Sequence, residues 1–134
     1  MLVRKGKEMN IYIATQKNRV GLVFTGTDNR VSYFKSFLTQ TEDKQAQALL
    51  SIQRAISHVE TNKVRGVPDE MNVYANFPIN MEKIKDNEYV KRHRFNFVQK
   101  EVETEKEKQR MLLANVEIEM ETCRQFLRTG NIGR

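Results

Sequence analysis

The chain has 134 residues, enough for one domain with a real core and too few for two. Charged residues make up 30% and hydrophobic ones 39%, and no apolar run approaches the ~20 residues of a membrane-spanning helix, which predicts a globular domain with no membrane partner. The net charge of +6 permits an acidic partner such as nucleic acid without demanding one, because the basic residues are spread along the whole chain.

Residues 1–9 read as an N-terminal tail. The first eight, MLVRKGKE, carry Arg4, Lys5 and Lys7 and have no apolar stretch behind them, unlike a signal peptide, and Met9 offers an alternative start. A single domain is expected over residues 10–128, followed by a short tail at 129–134. Cys123 is the lone cysteine, so no internal disulfide can form, and the natural expectation is a reducing, cytoplasmic setting.

Residues 10–37 hold three strand-like runs. Residues 10–15 alternate Ile11 and Ile13 against Tyr12 and Ala14, residues 20–25 are β-branched and aromatic, and residues 30–37 alternate Val31, Tyr33, Lys35 and Phe37 against Ser32, Phe34 and Ser36. Turn composition at 16–19 and at 26–29 makes these antiparallel neighbours. Thr39 and Glu42 then have capping-box spacing, ahead of a helix over 43–62 with Leu49, Ile52, Ile56 and Val59 on one stripe.

Residues 63–69, with Gly66 and Pro68, end that helix. MNVYANF at 71–77 reads as a strand inside a sheet, and Pro78 suits the first turn of a short helix reaching about Asn87. A short strand follows at 95–100. Thr104 and Glu107 repeat the capping-box spacing and open a long helix carrying Leu112, Leu113, Val116, Met120, Cys123, Phe126 and Leu127 on one side, with Gly130 as its stop. The expected fold class is therefore α/β, an α+β mixed sheet in the order β-β-β-α-β-α-β-α, its fourth and fifth strands reached through helices.

This order resembles the ribonuclease H-like fold across nearly the whole chain. Local matches support the likeness. Ile11-Tyr12-Ile13-Ala14-Thr15 is similar to the family's first strand, "I-Y-T-D-G". Thr41-Glu42-Asp43-Lys44-Gln45-Ala46-Gln47 resembles the opening of its first helix, "T-N-N-R-M-E-L", and Tyr74-Ala75-Asn76-Phe77 resembles the end of its fourth strand, "S-T-D-S". The resemblance implies a five-stranded sheet with helices packed on it. It also implies where the family's metal-binding carboxylates would stand, and those positions fall on Ala14, Ala46 and Asn76. Two methyl groups and one amide cannot supply the charged oxygens a magnesium pair needs. Asn115 or Glu117 lies near the family's fourth acidic position, but one carboxylate would not hold two ions. Asp28 and Asn29 lie at the far end of a hairpin and Asp69 and Glu70 at the wrong end of the fourth strand, while Glu42 and Asp43 stand one turn before the required helix position and are expected to serve the helix N-terminus instead.

Other chemistry is sparse. His58, His93 and Cys123 have no metal-ligand spacing, so His58 reads as a packing or solvent-facing residue, His93 as a surface one and Cys123 as a buried thiol. No phosphate-cradling glycine-rich loop is present. Asn72, Tyr74 and Asn76 put polar groups on one strand face, either bonding neighbours or lining a vestigial cleft. Lys91, Arg92, His93 and Arg94 form the densest basic cluster, where the family carries a basic protrusion, with Lys83 and Lys85 nearby; Phe95 and Phe97 beyond it read as strand core.

The expectation is a pseudoenzyme, with no catalytic residue, no cofactor and no metal. It would bind an RNA or DNA duplex through Lys83, Lys85, Lys91, Arg92, His93 and Arg94. The alternative is a protein-interaction module, such as an accessory or inhibitor protein of the kind viruses make, acting on a nucleic-acid enzyme or host factor. A nuclease with relocated acids is the third reading.

Overall fold

A computed structural model describes residues 9–26, 30–61, 70–93 and 95–129, without the side chains of 122–126, 128 and 129. The elements run β1 (Asn10–Gln16), β2 (Arg19–Thr25), β3 (Val31–Leu38), α1 (Lys44–Thr61), β4 (Glu70–Ala75), α2 (Met81–Asp86), α3 (Glu88–Lys91), β5 (Asn96–Gln99) and α4 (Glu105–Thr129). The strands form one sheet in the order β3-β2-β1-β4-β5. The β1–β2 and β2–β3 pairs are antiparallel, and β1–β4 and β4–β5 are parallel. The expected mixed sheet is present, the expected second helix ends at Asp86, and a further short helix that was not expected, α3, starts just after Asn87. That residue's side chain accepts hydrogen bonds from the backbone N–H groups of Tyr89 and Val90 and so starts α3 afresh.

Strand alternation sorts the core into two layers. Ile11 and Ile13 of β1 join Leu22, Phe24, Ile52, Ile56, Val73 and Phe97 in the larger cluster beneath α1. Tyr12 and Ala14 face the other way, into a smaller cluster with Val23, Tyr74, Met111, Ala114 and Ile118 of α4. Met9, placed in the tail by composition, is buried in the larger cluster, and its carbonyl accepts the Asn72 N–H at 3.0 Å.

Only part of the expected stripe of α4 packs: Leu113 lies against the smaller cluster and Val116 is half-buried, while the side chains of Cys123 and Phe126 lie outside the described residues. Met111, Ala114 and Ile118 face the sheet, whereas Leu112, Met120 and Leu127 are 62%, 44% and 82% exposed. The reason is the closeness of approach. Ala14 pairs with Gly21 across β1 and β2, and a Cβ added at Gly21 would collide with the Ala114 carbonyl oxygen and touch Ile118 Cγ1 at 3.0 Å. Only a helix face with alanine at its closest point can lie that near a strand.

Several expected caps also move. Thr39 does not cap α1: its hydroxyl donates to the carbonyls of Asn18 and Thr41, and Asp43 accepts the Gln45 N–H instead. Pro78 precedes α2, whose cap is Asn80. The Thr104–Glu107 capping box forms as expected, with Glu107 N–H bonded to the Thr104 hydroxyl and the Glu107 carboxylate accepting from Thr104 N–H at 3.1 Å. The expected turn at Asp28 and Asn29, the stop at 63–69 and Gly130 lie outside the described residues, as do Arg4, Lys5 and Lys7.

Two outcomes follow from this packing. Gly21→Val forces α4 off the sheet and should lower stability by about 3 kcal/mol in urea unfolding, whereas Gly26→Ala, whose Cβ would meet only Met9 Sδ at 3.7 Å, should cost about 1 kcal/mol or less. His58 packs against Tyr33 and Phe24 with ring centroids 4.6 and 5.6 Å away, and burial holds its pKa below the ordinary 6.5. The unfolded chain therefore binds this proton more readily, so stability should fall as pH drops from 6.5 through the lower folded value. Replacing His58 with Phe should flatten that part of a urea-midpoint profile taken between pH 7.5 and 5.

Candidate functional site

The parallel strands β1 and β4 finish at the same end of the sheet. Ile13 pairs with Ala75, so Ala14 and Asn76 are the next residues along each chain. Ala14 is fully buried beneath α4, and Asn76 is exposed just past β4. Ala46 is half-buried in the first turn of α1, which lies on the opposite face from α4. The three positions thus gather at one end of the sheet while facing different layers.

What fills this end is a set of neutral amides that sequence reasoning missed. Gln45 donates to the Pro78 carbonyl and accepts the Asn80 N–H, both at 2.7 Å. Gln99 does the same from β5, accepting the Ile79 N–H and donating to the Phe77 carbonyl at 2.8 Å. The chain leaving β4 is clamped from both sides. Gln47, not Ala46, is the α1 side chain that reaches the end of β1. Its Nε2 donates to the carbonyls of Lys17 and Thr41 at 2.7 and 3.0 Å and lies 3.2 Å from the Thr39 hydroxyl oxygen. Lys17 sits at φ 54°, in the left-handed region that the first position of this two-residue hairpin turn demands. No local pattern marks these glutamines, because polar side chains recur along the whole amphipathic helix α1.

On the α4 side, Asn72 donates to Asn10 and Asn10 to Thr25, a buried amide chain across three strands. Tyr74 stacks on Tyr12 with centroids 4.7 Å apart, and its hydroxyl donates to Glu107 at 3.2 Å. Burial pulls the Glu107 pKa upward, but the N–H groups of Glu103 and Thr104 with the Tyr74 and Thr104 hydroxyls outweigh it, leaving the carboxyl below its ordinary range. Asn72 and Tyr74 therefore both bond neighbours and line a groove. That groove holds Lys100 against Glu101, Glu103 and Glu107, one cation to three carboxylates. Asn115 is exposed and donates to the Met111 carbonyl, and Glu117 is buried beside Ile118. Among the described residues no three carboxylate, imidazole or thiol groups come together as a metal site.

The basic cluster is partly neutralised within the chain. Lys91 pairs with Asp86 at 3.0 Å, which raises its pKa, and His93 pairs with Glu60 at 3.0 Å, wedged between Tyr89 and Phe95. Lys83, Lys85 and Arg92 are exposed with no ion-pair partner among the described residues, and Arg94 lies outside them. Phe97 is buried and Phe95 half-buried against the larger core, as strand alternation predicted.

No family model matches this sequence, and no curated protein matches it. Solved structures do. LC11-RNase H1, isolated from compost by a metagenomic approach, superposes with a TM-score of 0.53 at 15% identity, over 86% of this chain and 96% of that one. The same protein in complex with an RNA/DNA hybrid gives 0.51 at 16% identity, over 86% and 98%. RNase H1 from the halophilic archaeon Halobacterium salinarum gives 0.48 at 13%, over 85% and 98%.

The chain has the ribonuclease H-like fold. At identities this low the likeness carries architecture alone, and the chemistry must be read from this chain's own residues. For a ribonuclease H-like sheet the supply of carboxylates is meagre. β1 has none, α1 has none before Glu60, and β4 has only Glu70, at its far end. Shifting the alignment by a residue therefore brings in no acid, and the groups present at Ala14, Ala46 and Asn76 do not fit a divalent ion.

The amide clamp makes a distinct forecast. Gln99→Ala leaves the Ile79 N–H and the Phe77 carbonyl without these bonds and should lower stability by about 1–3 kcal/mol. Asn76→Ala, at an exposed position, should stay within about 0.5 kcal/mol of the parent chain in the same urea titration.

Proposed function

We propose that this chain is a non-catalytic ribonuclease H-like module that works by binding a protein. The observation carrying this reading is the closure over Ala14. The position that would hold the first metal-binding acid is a methyl group sealed beneath α4, in the same cluster as Tyr74, which lines a groove with three carboxylates and one lysine. Phosphodiester cleavage by metal-activated water needs anionic ligands, which Ala14, Ala46 and Asn76 do not supply. A groove with three carboxylates against one lysine also repels a phosphate backbone. Exposed apolar side chains on the outer face of α4, led by Leu112, Met120 and Leu127, favour contact with another protein.

Nucleic-acid binding is the second reading. The observation favouring it is the cluster of unpaired cations at Lys83, Lys85 and Arg92, and the solved LC11-RNase H1 complex holds an RNA/DNA hybrid on the same fold. Three carboxylates, Glu82, Asp86 and Glu88, are interspersed among the four cations of residues 81–92, which weakens the patch.

The test is fluorescence anisotropy with a labelled RNA/DNA hybrid at 50 and 200 mM salt, followed by incubation with magnesium or manganese. The protein-binding reading expects no cleavage and, at 200 mM salt, no measurable hybrid affinity. Tight hybrid binding lost in Lys83→Glu/Lys85→Glu/Arg92→Glu would establish the second reading instead. Metal-dependent cleavage would overturn both.

A further inference from the structure

The strand β3 closes one edge of the sheet, and its outer backbone groups face no other strand of the sheet. Edge strands are commonly protected by proline, by dense charge or by a covering element. Across its eight residues β3 has no proline and one charge, Lys35. Its two faces differ sharply. Phe34 and Ser36 pair with Val23 and Gly21, so they share the α4 side of the sheet with Leu38. Phe34 and Leu38 are 51% and 56% exposed.

Between them, Ser36 opens onto a cavity of about 170 Å³ formed by β3 and α4 and lined by Arg19, Ser36, Phe37, Leu38, Ile118 and Glu121. The Ser36 hydroxyl is buried there with no hydrogen-bond partner among the described residues. The cavity has the size of a single apolar side chain, and the hydroxyl is a polar point at its wall.

On the opposite face Lys35 and Phe37 alternate with these residues. Arg54 of α1 lies over the Phe37 ring at 4.1 Å, and neither Arg54 nor Lys35 has a carboxylate partner among the described residues. One face of the edge thus carries the exposed Phe34 and Leu38 around a socket whose wall also includes Arg19 and Glu121, and the other carries Lys35 and Arg54.

We propose that β3 is a docking edge for an extended segment of a partner protein that alternates apolar and acidic residues. Main-chain hydrogen bonds would add it as a sixth strand. Its apolar side chains would cover Phe34 and Leu38, one of them entering the socket at Ser36, and its carboxylates would meet Lys35 and Arg54. The two-residue period of a strand delivers both chemistries at once. The proposal rests on the protein-binding reading and names the partner's shape and charge.

The test uses the whole isotope-labelled chain and two acetylated nine-residue peptides, one alternating leucine with glutamate, the other leucine with lysine. Amide shifts are followed in heteronuclear spectra. The acidic peptide should perturb Val31 to Leu38 and Ile118 saturably, and the basic peptide should bind roughly fivefold more weakly or less. Lys35→Glu with Arg54→Glu should reverse that preference, and Leu38→Asp should abolish binding while leaving the remaining spectrum unchanged. Equal affinity for both peptides would overturn the charge assignment. Shifts confined to the outer face of α4 would overturn the docking edge while leaving the protein-binding reading standing. Shifts in β3 that grow with protein concentration alone would mark pairing with a second copy and overturn the proposal. Absence of any peptide binding, together with hybrid binding in the anisotropy assay, would overturn both.

Discussion

The contact on which the arrangement depends is the one between Ala114 of α4 and Gly21 of β2. A helix can sit this close to a strand only where both surfaces are nearly bare of side chain, and Gly21, its strand partner Ala14 and Ala114 provide that. From it follow the phase of α4, the burial of Met111 and Ile118, and the outward turn of Leu112, Met120 and Leu127. It also decides the fate of position 14. A carboxylate there would be driven into an apolar layer under a helix, where an isolated charge is strongly disfavoured. Tight packing and a metal-binding acid exclude each other at this point, and the sequence has the packing.

The end of the sheet around Ala14 and Asn76 is built from neutral groups. Gln45, Gln47 and Gln99 knit the ends of β1 and β4 with neutral hydrogen bonds, a structural use of the region that carries catalysis in the resembling family. Within the basic cluster, Lys91 pairs with Asp86 and His93 hydrogen-bonds Glu60. The exposed apolar side chains lie at the periphery, on the β3 edge and the outer stripe of α4.

Most of the architecture was legible in the residues because strand alternation and helix periodicity are local signals. The meander of β1 to β3, the crossovers to β4 and β5 and the Thr104–Glu107 cap all followed from spacing. What was not legible depended on contacts distant in sequence. Two apolar stripes compete on α4, and the larger residues make the stronger pattern. The smaller stripe wins because Gly21, more than ninety residues away, demands alanine above it. Thr39 and Glu42 had the right spacing for a cap, yet Thr39 is drawn to the Asn18 carbonyl by the neighbouring hairpin, and of the two acids expected at this N-terminus Asp43 accepts the Gln45 N–H. Gln45 and Gln99 have no local signature at all, since each is defined by a backbone segment supplied by another part of the chain.

The most direct measurement is the urea stability of Ala14→Asp with and without 10 mM magnesium. If position 14 is a packing site sealed by α4, the substitution should destabilise the chain by about 3 kcal/mol or more, and magnesium should restore none of it. A variant as stable as the parent, or one that magnesium stabilises selectively, would show an open acid-binding cleft at this end of the sheet and contradict the account.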